Sequence, residues 1–238
     1  MSYKYRVTGK VSFSQVRSDN LLSLYYAMNY MQDSAIFHLE SLGRGSTFFA
    51  ENNLALFISA MQVDINEMPS MSTDIFIDTW AYGYDALSSY RNYQISGNNG
   101  KIYMNAYVAG AFIDLSSGKP IRITEEFMSS FPMGEKLEMD YLPRKIRVPD
   151  SWDTEGEPLL ITKRHLDKNN HLNNARYISI AEEHLSEDFA IKRMRVEYKK
   201  PAKQNDIIIP KLKYTDSSCI ALLQNQQGST YAIAEFIK

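Results

Sequence analysis

Met61-Gln62-Val63-Asp64, then Pro69, then Asp74-Ile75-Phe76-Ile77 has a counterpart later in the chain: Met194-Arg195-Val196-Glu197, Pro201 and Asp206-Ile207-Ile208-Ile209. A single one-residue gap aligns the two runs. The segments upstream also correspond, Ala35-Ile36-Phe37-His38-Leu39 against Ala181-Glu182-Glu183-His184-Leu185. Matched pieces in the same order point to an internal duplication. Each copy reads as a helix followed by strands, an α+β layout in which one long helix covers one antiparallel sheet.

The first helical pattern opens near Ser18-Asp19-Asn20, any of which suits an N-cap. Leu21, Leu24, Tyr25, Met28, Gln32, Ala35, Leu39 and Leu42 then recur at spacings of three and four. Gly43-Arg44-Gly45 ends the run. Apolar or alternating stretches at 54–65, 74–81, 90–96 and 101–115 predict strands, the last two joined by the turn Gly97-Asn98-Asn99-Gly100. Residues 133–157 carry prolines and charges with little periodicity and read as a connector. The chain therefore divides into a first unit at 1–132, the connector, and a second unit at 158–238. In the second unit a short strand at 158–164 precedes a polar loop, a helix at about 174–189, and strands at 191–200, 207–215, 219–224 and 231–237.

The 238 residues are 44% hydrophobic and 23% charged, enough apolar surface to fold and too much for a disordered chain. One cysteine, Cys219, excludes an intramolecular disulfide framework and suits a reducing compartment. A net charge of -2 argues against a general nucleic-acid binder. The first residues lack the apolar core of a secretory signal, and no stretch is long enough to span a bilayer. The expectation is a soluble cytoplasmic protein.

The chemistry concentrates in one run, Arg164-His165-Leu166-Asp167-Lys168-Asn169-Asn170-His171-Leu172-Asn173-Asn174-Ala175-Arg176-Tyr177. In an extended loop Asp167, Asn169 and His171 project the same way. A carboxylate, an amide and an imidazole there can bind and activate a water, and the Asp can serve as base or nucleophile. Backbone N–H groups at the start of the next helix can hold an oxyanion. Asn- and Asp-rich loops also precede helices simply because these residues cap and turn. His165 and His171 lack the close second pair that a zinc site requires, so no metal is expected.

The run resembles the acyl-acyl-carrier-protein thioesterase family, whose Asp-x-Asn-x-His-x-Asn-Asn-x-x-Tyr signature is matched from Asp167 to Tyr177 at every fixed position. The helix Met28-Asn29-Tyr30-Met31-Gln32-Asp33-Ser34-Ala35-Ile36-Phe37-His38 and the strand residues Met61-Gln62-Val63-Asp64 extend the likeness over nearly the whole chain. The resemblance implies a tandem double hotdog, each half a long helix wrapped by an antiparallel sheet. It implies hydrolysis of fatty acyl-acyl carrier protein, with the alternatives of an acyl-CoA thioesterase or a non-catalytic acyl-binding protein. Asp167, Asn169 and His171 match the catalytic residues. Met28 and Gln32 on the first helix, with Asn173 and Asn174, are the substrate-binding candidates, the Asn pair and Tyr177 also suiting cap and core roles. No cofactor is implied. A Glu that many relatives carry after the strand following the second helix falls here at Pro201, beside Ala202.

Acyl carrier protein is acidic, and basic residues cluster at Lys192, Arg193, Arg195, Lys199, Lys200 and Lys203, at Arg144, Lys145 and Arg147, and at Lys163-Arg164. These are the docking candidates. A monomer and a homodimer are both compatible with the duplication.

Overall fold

The computed structural model describes residues 3–238 and forms two compact units, which divide between Tyr141 and Leu142. In the first, β1 (Tyr5–Lys10) leads through a short turn to the helix α1 (Leu24–Ser41) and α2 (Ser46–Glu51). Strands β2 (Leu54–Ile65), β3 (Asp74–Tyr84), β4 (Ser89–Gly97) and β5 (Ile102–Asp114) follow, then the short β6 (Lys119–Pro120) and α3 (Glu125–Met128). The sheet order is β1-β3-β4-β5-β2, antiparallel throughout. The second unit contains β7 (Thr154–Glu155), β8 (Leu159–Leu160), α4 (Asn174–Glu182), β9 (Arg193–Tyr198), β10 (Ile207–Tyr214), β11 (Ser218–Gln224) and β12 (Thr230–Ile237). Its sheet order is β9-β12-β11-β10-β7, with β8 paired to β10. No helix among the described residues is long and apolar enough to cross a membrane.

The helix starts at Ser23, whose Oγ accepts from the Tyr26 N–H, and not at residues 18–20. Residues 18–20 belong to a separate turn. Its buried face is Leu24, Ala27, Met28, Met31, Ser34, His38 and Leu39. The expected stripe through Tyr25, Gln32 and Ala35 lies at the margin of that face and is only half-buried. Periodicity alone did not fix the rotation, because Ala, Ser and His are also accepted at the interface when they fit or are paired. In the second unit the helix stops at Glu182 rather than near residue 189, and 158–164 holds a two-residue strand followed by a 3-10 turn at Lys163–His165.

The duplication is visible in hydrogen bonds. Ser12 and Gln15 form a capping box in the first unit, Thr162 and His165 the same box in the second. Asn20 at φ 65° corresponds to Asn170 at φ 60°, and the N-caps Ser23 and Asn173 occupy equivalent places. Farther on, Leu22 N–H donates to Pro69 O at 2.9 Å, and Leu172 N–H to Ala202 O at 2.8 Å. Ser72 and Asn205 both take positive φ. These contacts pair Pro69 with Ala202, not with Pro201, so no gap is needed in that run. They also set the helices four residues away from the alignment of His38 with His184. That shift is about one helical turn, the slip that 3.6-residue periodicity leaves undetected.

The connector is divided between the units. Residues 133–141 lie across the outer face of the first sheet, where Gln62, Asp78 and Asn92 are almost fully buried. Gly134 N–H donates to Ala81 O (2.8 Å), Trp80 Nε1 to Glu135 O (2.7 Å), Gln62 Nε2 to Asp140 O (2.7 Å) and Leu137 N–H to Asn92 Oδ1 (3.0 Å). The approach is so close that a Cβ on Gly134 would lie 2.2 Å from the Tyr3 ring and 2.6 Å from that of Trp80. The polar residues alternating along β2 and β4 thus read as a solvent face but are buried under a strap that supplies their partners. In the second unit Ile146 and Trp152 play a similar part, packing on Leu222, Ile233 and Ile220.

One buried group of the first unit titrates far from its usual range. His38 stacks on Tyr5 at 5.4 Å, and its Nδ1 lies 3.1 Å from Arg91 Nη1. Guanidinium has only donors, so Nδ1 accepts and the ring is neutral with its proton on Nε2. Burial, then the Arg91 charge, lowers its pKa to about 4. Between that value and 6.5 the unfolded chain holds a proton that the fold excludes, so stability falls as pH drops through this window and is fully present above it. The contribution is up to about 3 kcal/mol. In urea titrations from pH 7.5 to 4, His38→Gln should show a shallower loss of stability than the wild type; equal slopes would refute a buried neutral His38.

Candidate active site

The run from Asp167 to His171 is a tight turn, not an extended loop. Asp167 N–H donates to His171 O at 2.8 Å, and Asn170 N–H to Asp167 O at 3.1 Å. Asn170 takes the left-handed conformation that Asn tolerates better than most side chains. Leu166 and Leu172 form an antiparallel bridge, so Asp167 and His171 stand opposite each other on one side of the turn and Asn169 sits at its exposed tip. Alternation along an extended strand would have put three side chains in a row; the turn brings the two end residues together instead.

The Asp167 carboxylate is half-buried. Its Oδ1 accepts from the N–H groups of Asn169 (2.8 Å) and His171 (3.2 Å). Among the described residues Oδ2 meets no donor. One oxygen is therefore fixed by the backbone and the other is left available to a water or a carbonyl carbon.

A second layer holds the turn. Tyr177 is buried on α4, and its hydroxyl accepts from the Ala202 N–H at 2.7 Å. Ala202 O in turn accepts from Leu172 N–H, and His171 bridges to Lys203. The Tyr198 hydroxyl donates to Asn174 O at 2.9 Å, and its ring meets Tyr177 edge-on at 5.6 Å. Burial pushes both phenols well up from their usual value, so they stay protonated. The spacing from Asp167 to Tyr177 could not reveal the Tyr177–Ala202 contact, because the segment carrying Ala202 lies beyond an intervening helix and strand.

Asn173 is the N-cap: its Oδ1 accepts from Ala175 N–H at 2.8 Å, and its carbonyl accepts from Arg176 N–H. Two of the first N–H groups of α4 are thus already taken, which narrows the oxyanion site expected there. His165 is a framework residue, its Nδ1 accepting from Thr162 N–H at 3.1 Å and its pKa lowered by burial and then by Arg164. Pro201 is exposed in the segment that runs past the turn. Of the acidic residues nearby, Glu197 is paired with Lys199 and accepts from Ile146 N–H, while Asp206 Oδ2 accepts from Lys203 N–H. In the first unit Met28 is buried on α1 and Gln32 half-buried beside it. No cluster of three His, Cys, Asp or Glu able to hold a metal ion occurs among the described residues.

Tyr177→Phe removes the side-chain acceptor of the buried Ala202 N–H. It should destabilise the protein by about 1–3 kcal/mol, read as a lower urea midpoint with an unchanged slope; an unchanged midpoint would show that the contact is dispensable.

Comparison with known proteins gives the family and the fold. The chain is 24% identical over 191 residues to a chloroplastic acyl-acyl-carrier-protein hydrolase of Cuphea viscosissima, covering 73% of this chain and 45% of that protein. It is 24% identical over 228 residues to the chloroplastic palmitoyl-acyl carrier protein thioesterase of Gossypium hirsutum, covering 86% and 53%. The chain thus spans about half the length of these curated relatives. An acyl-ACP thioesterase from Bacteroides thetaiotaomicron superposes with a TM-score of 0.90 at 18% identity, over 100% of this chain and 99% of that one. The 12:0-ACP thioesterase of Umbellularia californica gives 0.87 at 18% identity, over 99% and 93%. At these identities the superpositions establish the fold, a tandem hotdog. Two family models account for most of the sequence, the acyl-ACP thioesterase N-terminal domain over residues 2–131 and its C-terminal domain over 155–237. With the signature turn in the second of these domains, the chain belongs to the acyl-ACP thioesterase family.

Proposed function

We propose that this protein hydrolyses the thioester of a fatty acyl group carried on acyl carrier protein, with Asp167, Asn169 and His171 as its catalytic residues. One observation carries the assignment. The turn that presents Asp167 and His171 is built twice, and in the first unit the same backbone is made with Arg17, Asp19 and Leu21. There Arg17 N–H donates to Leu21 O at 2.9 Å, just as Asp167 N–H does to His171 O. The turn therefore forms without an Asp-Asn-His set, and chemistry is the reason for having one in the second unit. The two family-model matches, one to each unit, support the same reading.

In this reading Asp167 Oδ2 takes a proton from water as the oxygen adds to the thioester carbonyl carbon. The tetrahedral intermediate then expels the thiol sulfur, which receives a proton from the imidazole of His171 as that ring takes up the proton held by Asp167, and a carboxylic acid and a thiol result. Attack by Asp167 itself, through an anhydride that water then opens, uses the same atoms. Asn169 at the tip, in the same reading, donates to the carbonyl oxygen. Asn173 and Asn174 at the start of α4 border the thioester, while Met28 and Gln32 on α1 serve the acyl chain, an apolar and adaptable lining.

Lys163, Arg164, Lys168 and Lys203 are exposed around the turn and form the surface for an acidic carrier protein. Arg195 is less suited, being engaged with Glu235 and with Pro143 O. The single Cys219 is buried with its thiol pKa pushed up to about 11 by burial, which fits a reducing compartment such as the cytoplasm.

Hydrolysis of a chain-length panel of acyl-acyl carrier protein, read as released thiol beside the same acyl-CoA set, tests the proposal. Asp167→Ala should reduce turnover by about 10²–10⁴-fold. Its unfolding midpoint should fall modestly, because the N–H groups of Asn169 and His171 lose the Oδ1 acceptor and turn to water. Carrier-protein turnover lost in this variant supports the assignment. A folded protein that binds acyl groups and hydrolyses none would overturn it in favour of a non-catalytic binder, and equal rates on acyl-CoA would remove the carrier protein from it.

A further inference from the structure

The loop that follows β9 is also built twice. In the second unit Asp206 N–H donates to Lys203 O at 3.1 Å, Asn205 N–H to Ile161 O at 2.9 Å and Ile161 N–H to Asp206 O at 2.8 Å. In the first, Thr73 N–H donates to Ser70 O at 3.2 Å, Ser72 N–H to Val11 O at 2.8 Å and Val11 N–H to Thr73 O at 2.9 Å. Ser70 bridges to Leu21 as Lys203 bridges to His171. A tyrosine recurs in the next strand pair. Tyr103 O accepts from the N–H groups of Asn66 and Glu67, Tyr231 O from those of Lys199 and Lys200, and both tyrosines are buried. Asp206 therefore stands where the first unit has Thr73.

The side chains at these matched places differ. Ser70 and Thr73 bring their hydroxyls to 3.2 Å of each other. Asp206 instead accepts from Lys203 N–H through Oδ2 at 2.8 Å, and it also accepts from the Tyr231 hydroxyl. The Asn225 side chain donates to that hydroxyl in turn. Burial, then the bond to Asp206, pushes the Tyr231 phenol up to about 12, so it stays protonated and keeps donating. The Asp206 carboxylate is half-buried, and its charge and that of Asp167 add to the rise that burial causes at the Tyr177 phenol. A loop that closes with two hydroxyls in one unit does not need a carboxylate for its shape in the other. Partial burial of a charge costs solvation, so its presence calls for another reason.

That reason lies in what the loop holds. Lys203 is the residue that bridges to His171. Ala202 before it accepts from Leu172 N–H and donates to the Tyr177 hydroxyl. Asp206 fixes the main chain of Lys203 from one side, and Tyr231 fixes Asp206 from the other. The bonds thus run from Asn225 at the end of β11, through Tyr231 and Asp206, to the backbone beside His171.

We propose that Asp206 is a positioning residue for the reaction: held by Tyr231, it fixes Lys203 and through it the place of the His171 ring. Its effect on turnover rests on the thioesterase reading above; its effect on His171 does not.

Asp206→Thr gives the second unit the side chain with which the first closes the same loop. On acyl-acyl carrier protein it should lower kcat about ten- to a hundredfold while KM stays within about twofold. Asp206→Asn retains one acceptor oxygen and should recover part of that loss. Both variants lower the unfolding midpoint, since Lys203 N–H and the Tyr231 hydroxyl lose an acceptor. Asp153→Ala controls for this. Asp153 accepts from Lys213 Nζ and Tyr214 N–H at the far end of β10, so its loss weakens the same unit and should leave kcat unchanged. The chain has only 4 histidines, which allows a measurement without turnover. In ring 1H–15N spectra the His171 signals, assigned with His171→Gln, should shift in Asp206→Thr and stay in place in Asp153→Ala. A wild type that hydrolyses nothing, with the His171 shift observed, would sink the thioesterase reading and keep the link from Asp206 to His171. Wild-type kcat in Asp206→Thr, an equal loss in Asp153→Ala, or a His171 signal that does not move would overturn the positioning role.

Discussion

The hydrogen bond from Asp167 N–H to His171 O closes the turn on which the candidate site depends. It requires Asn170 in the left-handed region, and it places the two chemically able side chains opposite each other. A turn of this size cannot hold itself in water, since a few hydrogen bonds do not offset the entropy of ordering it. It is held because Leu166 and Leu172 bridge beneath it, Leu172 N–H is tied to Ala202 O, and Ala202 N–H is tied to the Tyr177 hydroxyl. Helix, turn and the segment after β9 are thereby fixed to one another through a single buried phenol.

The same construction in the first unit shows which features are architectural. Capping box, left-handed Asn, N-cap and the hydrogen bond from the second Leu all recur there. What differs is the side chains: Arg17 pairs with Asp19 in the first turn at 2.6 Å, whereas Asp167 folds back onto its own backbone in the second. The helices differ too, 18 residues against nine. A longer helix covers more of its sheet. The charges differ as well. In the first unit Arg91, half-buried, donates to a neutral His38, while lysines stand exposed around the turn of the second.

Local pattern carries a good part of this protein. The strands at 54–65 and 101–115, the hairpin at 97–100 and the duplication follow from alternation, turn residues and order, which are properties of short segments. The Asp167–Tyr177 spacing likewise locates the candidate site, because a helix cap and a turn preceding it are contiguous in sequence. The strand at the N-terminus was not legible, since Tyr5-Arg6-Val7-Thr8-Gly9-Lys10 becomes a strand only by pairing with β3. Nor was the strap at 133–141, which has no periodicity of its own and takes its shape from the polar groups of the sheet it covers.

The sequence by itself determined the two helix-and-sheet units and the polar run that precedes the helix of the second, because each depends on neighbours within about ten positions. Only the tertiary structure decided which face of α1 is buried, that Asp167 and His171 meet across a turn, that Tyr177 holds Ala202, and that Arg91 faces the interior beside a neutral His38. These join residues far apart in the chain. A side chain's environment there is set by what packs against it, and no local pattern records that.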